Sequence, residues 1–486
     1  MKLRELLKNI PVLECTADPE LDILDVHYDS RKVTPGSLFV AVTGFASDGN
    51  RFIPMALSKG ACVVVTAKKP EGDVPYVLVE SDRMALALLG CNFFGHPAKA
   101  MTMVGVTGTN GKTSTTLLLK QVLEKTLGAK VGLIGTMANM VGDEEIPTER
   151  TTPESFDLQA LFARMRDAGC SHVVMEVSSH AVTLERIGGT HFDIAAFTNL
   201  TEDHLDFHKT MDAYCEAKAD LFRRCHKAVV NLDDSYSGRI LEAAACPVLT
   251  TSVAKEEGLY AKDLELFSEG IRFTAVCGEE EAAVTLPIPG KFTVYNALTV
   301  MGIAKQLGIS LTDCADALKD AQGVKGRVEV VPTPGMPYSV LIDYAHTPDG
   351  LENVLSSVRG FCKGRLISVF GCGGDRDPIK RPIMGRIGVE LSDIAVITSD
   401  NPRTEDPMAI IEDILKGVNP ELGEYIVMED RRRAIRYAMD IAKKDDIIVL
   451  AGKGHETYQD IGGHKYHLDE REEVAAHLQE LRNNNG

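Results

Sequence analysis

The sequence predicts an α/β protein of three domains, in which a central parallel-sheet domain opened by a glycine-rich loop is flanked by a small N-terminal α/β domain and a C-terminal Rossmann-like domain. Three observations carry this reading. The chain has 486 residues, more than one hydrophobic core organises. Short apolar runs alternate with helical stretches from residue 101 to 230 and again from 340 to 450, the pattern of parallel strands joined by helices. A composition of 44% hydrophobic and 25% charged residues excludes fibrous and disordered classes.

The elements follow in order. Apolar runs at 38–42, 62–66 and 76–79 separated by polar turns make a small α/β domain over 1–98, closed where Gly95 and Pro97 break the pattern. A strand at 101–106, a glycine loop, a helix at 113–127 and strands at 130–134, 172–177, 194–198 and 228–230 build the central domain, 99–327. Gly323 and Gly326 are hinge candidates or ordinary turn residues. Strands at 340–343, 366–370, 394–398 and 447–450 build the third domain, 328–486.

Lys and Arg total 52 against 70 Asp and Glu, a formal charge of -18, so generic attraction to a phosphate backbone is disfavoured and nucleic acid is not an expected partner. Anionic ligands must then be held by local devices. The N-terminal MKLRELLKNIPVLECT has no signal-peptide core, and no apolar run is long enough to span a bilayer, so a cytoplasmic location is expected. The 11 cysteines are odd in number and lack zinc or redox spacing, which predicts reduced, mostly buried thiols.

The run Gly105-Val-Thr-Gly108-Thr109-Asn110-Gly111-Lys112-Thr113-Ser114 follows a strand and opens a helix, so backbone N–H groups and the helix dipole can wrap phosphate oxygens. Lys112 would reach the terminal phosphates of ATP or GTP, and Thr113 would offer a hydroxyl to Mg²⁺. A strict Walker pattern wants glycine where Val106 stands. Further on, Glu176 ends a buried strand, where a carboxylate can serve a metal or simply cap the following turn. Asn199 to His208 packs two His and three acidic residues into ten positions, suited to a divalent metal or acid–base chemistry, and equally to a polar helix start with Thr201 as N-cap. Lys218 reads by itself as a surface lysine on a helix.

Taken together, TGTNGKTS at 107–114, MEVSSHA at 175–181, NLTEDHLDFH at 199–208, EAKADLF at 216–222, DYAHTP at 343–348 and GCGGDRD at 371–377 resemble the Mur ligase family. The segment YDSRKVTPGSLFVAVTG at 28–44 extends the resemblance over essentially the whole chain. It implies an ATP-dependent acid–amino-acid ligase of peptidoglycan synthesis that uses Mg²⁺ and acts through an acyl phosphate. The resemblance assigns Ser30 to the uridine diphosphate and Thr151, Thr152, Ser178 and Arg186 to the muramoyl dipeptide. It assigns Asn296, Arg327 and Asp343 to the adenosine, and Glu176, His204 and Lys218, the last as a CO₂-derived carbamate, to metal and catalysis. Two departures are Thr293, where the family often has Asn, and Leu184, where some relatives have Gln. Positioning of substrates across a cleft between domains predicts closure of the C-terminal domain, and a monomer is expected.

Asp400-Asn401-Pro402-Arg403 leaves a strand end and by local rules is a turn. In the family it resembles the meso-diaminopimelate motif, with Arg376, Gly452 and Glu456 as further contacts. Meso-diaminopimelate differs from lysine by one carboxylate, which a planar guanidinium grips with two charge-assisted hydrogen bonds. The expected substrates are therefore ATP, UDP-N-acetylmuramoyl-L-alanyl-D-glutamate and meso-diaminopimelate. A lysine-adding relative, a folate polyglutamate ligase and a P-loop regulatory NTPase are the competing readings.

Overall fold

The computed structural model describes residues 1–44, 48–148 and 150–484. The chain divides into two compact units, Met1–Leu259 with Thr299–Ser310, and Tyr260–Leu298 with Leu311–Gly486.

The first unit holds two sheets. One has five strands in the order Val12–Cys15, Tyr76–Val79, Ala61–Thr66, Ser37–Val40 and Asp25–His27. Only its first pair is antiparallel. Ser37–Val40 is buried at every position, as a strand covered on both faces must be. Its helix Asp82–Phe93 packs on helix Ser155–Asp167, where Gly90 lets the backbones close: a Cβ there would stand 3.2 Å from Gln159. The rings of Phe93 and Phe94 meet Phe156 at 5.7 and 5.1 Å. The N-terminal sheet thus shares a compact unit with the central one.

In the central sheet, strand Thr102–Thr107 lies between His172–Glu176 and Phe192–Phe197, all parallel. Val131–Ile134 extends it beyond the first neighbour, and Cys225–Asn231 and Val248–Ser252 beyond the second. The chain leaves Thr107 to build one side and returns to build the other, so the carboxyl end of this strand is a topological switch point. The observed strands match the predicted runs to within one to three residues. The short antiparallel pair Asn139–Val141 and Glu144–Ile146 has no counterpart in the sequence reading, because three-residue strands with exposed positions carry no apolar run.

In the second unit, strands Ser339–Asp343, Ile447–Ala451, Leu366–Phe370, Ile394–Ile397 and Glu424–Val427 are parallel in that order, with Glu329–Val331 antiparallel at one edge. The carboxyl ends of three adjacent strands, Ile447–Ala451, Leu366–Phe370 and Ile394–Ile397, lead directly into segments 452–456, 371–377 and 398–403. Segments far apart in the chain are therefore brought to one sheet edge. The hairpin Gly270–Cys277 with Glu280–Leu286 was not foreseen, although its second strand alternates in burial at period two.

Of the 11 cysteines, all are free and five are buried, fewer than the sequence suggested, because several sit at strand ends. Gly326 is a packing residue rather than a loose joint. Its φ is +69° and an added Cβ would stand 2.2 Å from the Gly454 backbone, while its carbonyl accepts from Tyr344 N at 2.8 Å. Gly326→Ala is expected to destabilise the second unit by about 2–4 kcal/mol, read as a lowered denaturant midpoint, whereas Gly323→Ala, whose Cβ would meet only Ile288 at 3.4 Å, should shift it little.

Candidate active site

Val106, where a Walker pattern wants glycine, is fully buried and paired with Glu176 and Ala196, so the strand runs through that position and the loop begins one turn later. Gly108 has φ +150° and Gly111, at the N-cap of helix Lys112–Leu127, has φ +84°. A neighbouring strand end holds the loop in shape. Thr109 N donates to Asn199 O (2.9 Å), Asn110 N to Asn199 Oδ1 (2.9 Å), and Thr198 Oγ1 to Asn110 O (2.6 Å). Lys112 Nζ donates to Gly108 O and Thr109 O, both at 2.8 Å, which folds the ammonium over the loop. Thr113 and Ser114 follow in the first helical turn, half-buried. Curled backbone, helix N-terminus and placed ammonium form an anion cradle.

Beside it, Glu176 is buried and accepts from Thr136 N (2.8 Å) and Thr136 Oγ1 (3.1 Å). It does not cap its own following turn; Ser178 does, accepting from Ala181 N. The hydroxyl beats the carboxylate there because Ser178 occupies the N-cap position and Glu176 is still in the strand. A carboxylate has about four acceptor positions, so two donors leave room for a cation. Thr152 Oγ1 donates to Glu176 O (2.9 Å) and lies 3.4 Å from Ser178 Oγ, while Thr151 Oγ1 meets Thr136 Oγ1 at 3.0 Å. Arg186 donates to Thr152 O (3.1 Å) and to Glu154 (2.8 Å), and burial lowers its pKa from the ordinary value. Thr151, Thr152, Glu176, Ser178 and Arg186 are therefore one constellation. Ser30 stands apart in the N-terminal sheet, its buried hydroxyl donating to Met55 Sδ at 3.3 Å. A cavity of about 490 Å³ lies between that sheet's loop at Thr43 and Gly44 and Arg83, Leu184 and His208.

Lys218 is not a surface lysine. It is fully buried, its Nζ donates to Gly108 O at 2.9 Å, and it lies 4.4 Å from the Tyr214 ring centroid. Burial first, then the nearby Lys112 charge, pull its pKa well below that of an ordinary lysine. Tyr214, one helical turn before it, joins the parts: its hydroxyl meets Thr109 Oγ1 at 3.2 Å, and His204 stacks edge-on at 6.1 Å. Burial pushes the Tyr214 phenol up to about 12. Sequence reading missed Tyr214, although its i, i+4 spacing from Lys218 was visible. His204 is half-exposed at φ +54° and heads the short helix Leu205–His208, so Thr201 is not the N-cap expected there. Thr201 is spent on the phosphate loop instead, its Oγ1 accepting from Asn110 Nδ2 at 3.3 Å and its N donating to Thr109 Oγ1 at 3.0 Å. The Asp206 side chain lies outside the described residues.

In the second unit, the carboxylate of Asp343 accepts from Val328 N (2.8 Å) and Ala345 N (2.9 Å), and burial raises its pKa. Arg327 lies over the Tyr344 ring at 5.4 Å, and Asn296 is buried on helix Lys291–Gln306. Arg403 has φ +52°, its N donates to Asp460 O (2.9 Å), and its guanidinium donates to Gly374 O (2.5 Å). Gly374 is required because a Cβ would sit 1.9 Å from Pro402 O. Gly452, at φ +117°, similarly clears Asp400 Oδ2, and Arg376 is exposed. Asn401 is buried and held at both ends of its amide: Oδ1 accepts from Lys453 Nζ and Asp460 N, both at 2.9 Å, and Nδ2 donates to Glu456 Oε2 at 2.9 Å. Asp400 and Asn401 thus shape the loop while Arg403 and Glu456 offer charge. Lys453 was missed by the sequence reading.

Three family models match the chain: Mur ligase family, catalytic domain, over residues 23–89; Mur ligase middle domain over 106–304; and Mur ligase, glutamate ligase domain over 326–454. The chain belongs to the Mur ligase family. A Clostridium botulinum protein named UDP-N-acetylmuramoyl-L-alanyl-D-glutamate--2,6-diaminopimelate ligase is 48% identical to this Mur ligase over 95% of the chain and 96% of its own length. One of the same name from Clostridium tetani is 47% identical over 99% and 100%. A solved structure of a ligase of that name aligns over 99% of both chains with a TM-score of 0.77 at 31% identity. The MurF ligase of Thermotoga maritima shares the fold at a TM-score of 0.60 and 18% identity over 95% and 98%.

Gly108→Ala would drive a Cβ to 1.9 Å from Thr198 Oγ1 at a φ of +150°, so nucleotide affinity in a direct titration should fall about 100-fold and the thermal unfolding midpoint should fall with it.

Proposed function

We propose that this Mur ligase joins meso-diaminopimelate to UDP-N-acetylmuramoyl-L-alanyl-D-glutamate, with ATP cleaved to ADP and phosphate. Its relatives carry that name over their full length. The observation that carries the choice of amino acid is Arg403, held by its backbone at Asp460 and Gly462 and by Gly374 at its guanidinium. A guanidinium so fixed reads the carboxylate that lysine lacks, and an unmatched polar group there rejects lysine.

The reaction requires the dipeptide carboxylate to become electrophilic by accepting the γ-phosphoryl group, after which the amine attacks and phosphate leaves. The loop 108–114 holds the nucleotide phosphates, and Lys112 swings from its two loop carbonyls to the transferred group. Mur ligases are ATP-dependent and use Mg²⁺, which when bound screens charge between the two anions. Thr113 and Glu176 are the residues suited to hold it beside the loop. Thr152, Ser178 and Arg186 orient the muramoyl dipeptide, Ser30 serves its uridine diphosphate, and Asn296, Arg327 and Asp343 serve the adenosine. Arg376 and Gly452 complete the amino-acid contacts.

Lys218 is assigned a carbamate, formed as its neutral amine adds CO₂ and loses a proton. Its burial and depressed pKa favour the neutral amine that this addition needs. Together with His204 across Tyr214 it would offer a second set of metal oxygens and nitrogens. The proposed domains are 1–98, 99–327 and 328–486. The reaction is assigned to the cytoplasm, where ATP is available, with the monomer as the working unit. Among the described residues no helix is long and apolar enough to cross a membrane.

A panel of amino acids assayed with ATP, Mg²⁺ and the UDP-linked dipeptide should show phosphate release with meso-diaminopimelate, and lysine turnover of equal rate would sink the assignment. Arg403→Ala should lower kcat/KM for meso-diaminopimelate about 100-fold or more and leave nucleotide affinity in place. Lys218→Ala should lose activity about 100-fold, and added acetate should restore part of it if a carboxylate is what the position supplies.

A further inference from the structure

Lys453 is one of the largest fully buried side chains in the protein. A buried ammonium is retained only where acceptors surround it. Its Nζ donates to Asn401 Oδ1 at 2.9 Å and to Glu456 Oε2 at 3.3 Å, with Asp400 Oδ1 at 3.8 Å and the Tyr458 ring at 5.8 Å. Glu456 Oε2 therefore receives two donors, Lys453 Nζ and Asn401 Nδ2, whereas Oε1 makes no hydrogen bond among the described residues.

Lys453 also belongs to a longer arrangement. Glu470 pairs with Arg431 at 2.8 Å, Arg431 faces Asp400 at 3.9 Å, Asp400 faces Lys453 at 3.8 Å, and Lys453 pairs with Glu456 at 3.3 Å. Charges alternate along this chain of five, and it begins and ends on a carboxylate. Three negative and two positive groups leave one negative charge, at the end where Glu456 is the most exposed member. A cationic group docking on Glu456 completes the alternation.

We propose that Lys453 is a positioning residue for amine recognition: by holding Glu456 Oε2 together with Asn401, it turns Oε1 toward the distal ammonium of the amino-acid substrate. The proposal rests on the ligase reading above and deepens it. Two groups carried by the same distal carbon of the substrate are read by separate devices. Arg403 reads the carboxylate that distinguishes meso-diaminopimelate, and the Lys453–Glu456 pair reads the ammonium that both diamino acids share.

The test is a double-mutant cycle on the full-length enzyme with ATP, Mg²⁺ and the UDP-linked dipeptide, using Lys453→Met, which nearly conserves volume and removes the charge, and Glu456→Gln. Lys453→Met should raise KM for meso-diaminopimelate about tenfold or more, leave kcat within about threefold, and leave nucleotide affinity unchanged. Any slow turnover of lysine should drop by the same factor, unlike in Arg403→Ala. In the Glu456→Gln background the Lys453 substitution should add less than about twofold. Fully additive losses, or an equal loss of nucleotide affinity, would show that Lys453 serves the fold alone. Should Lys453→Met fail to fold, Lys453→Gln, which keeps a donor for Asn401 without a charge, enters the same cycle. Wild-type enzyme that turns over no diamino acid sinks the ligase reading itself; wild-type turnover with additive variants sinks only the role of Lys453.

Discussion

The curl of the loop from Gly108 to Gly111 is the constraint on which the central sheet's switch-point edge depends. A strand that ends at a switch point must hand its chain to a helix while turning its N–H groups outward, and that conformation is costly unless other groups hold it. Thr198 and Asn199, at the end of the adjacent parallel strand, bond four times to the loop. The same loop offers carbonyls inward, and two lysines from different helices settle on Gly108 O. One peptide thus gathers Lys112 and Lys218 into a single neighbourhood, where burial first and then repulsion from Lys112 depress the Lys218 pKa.

The second unit solves a different problem, that of presenting charge from a sheet edge without leaving it unpaired. Loops 371–377 and 398–405 are zipped together. Gly374 N donates to Asn401 O, Thr404 donates to Asp375, and buried Arg381 holds Glu405, which in turn accepts from Asp375 N. Side chains fixed this way lose little entropy on binding a ligand, so a guanidinium or carboxylate placed there discriminates by what it fails to pair. Arg403 can adopt φ +52° only because its own N–H and C=O are both bonded to the neighbouring strand Tyr458–Ile461 and the turn that follows it.

The phosphate loop was legible because all its parts are contiguous and its strand and helix flanks are periodic. The carboxyl-edge position of Glu176 was legible for the same reason. Two alternatives that the residues left open were decided by competition for donors. Thr201 was free to cap a helix until its Oγ1 accepted from Asn110 Nδ2 of the loop, and Glu176 was free to cap a turn until Ser178 stood nearer. The hairpins at 139–146 and 270–286 escaped because short strands with mixed burial resemble polar loops.

By itself, the sequence determined the α/β class, the order of the strands along the chain, the glycine loop between strand and helix and, through family motifs, the expectation that Arg403 selects the amino acid. Local spacing suffices for these, since hydrogen bonds between near neighbours and apolar period are written along the chain. Only the tertiary structure decided that Lys218 and Lys453 are buried amines with assigned acceptors and that Tyr214 joins Thr109, His204 and Lys218. Their partners lie as far as 110 residues away for Lys218 and 52 for Lys453. The energy of a buried charge depends on which groups the fold brings around it, and no local pattern encodes that.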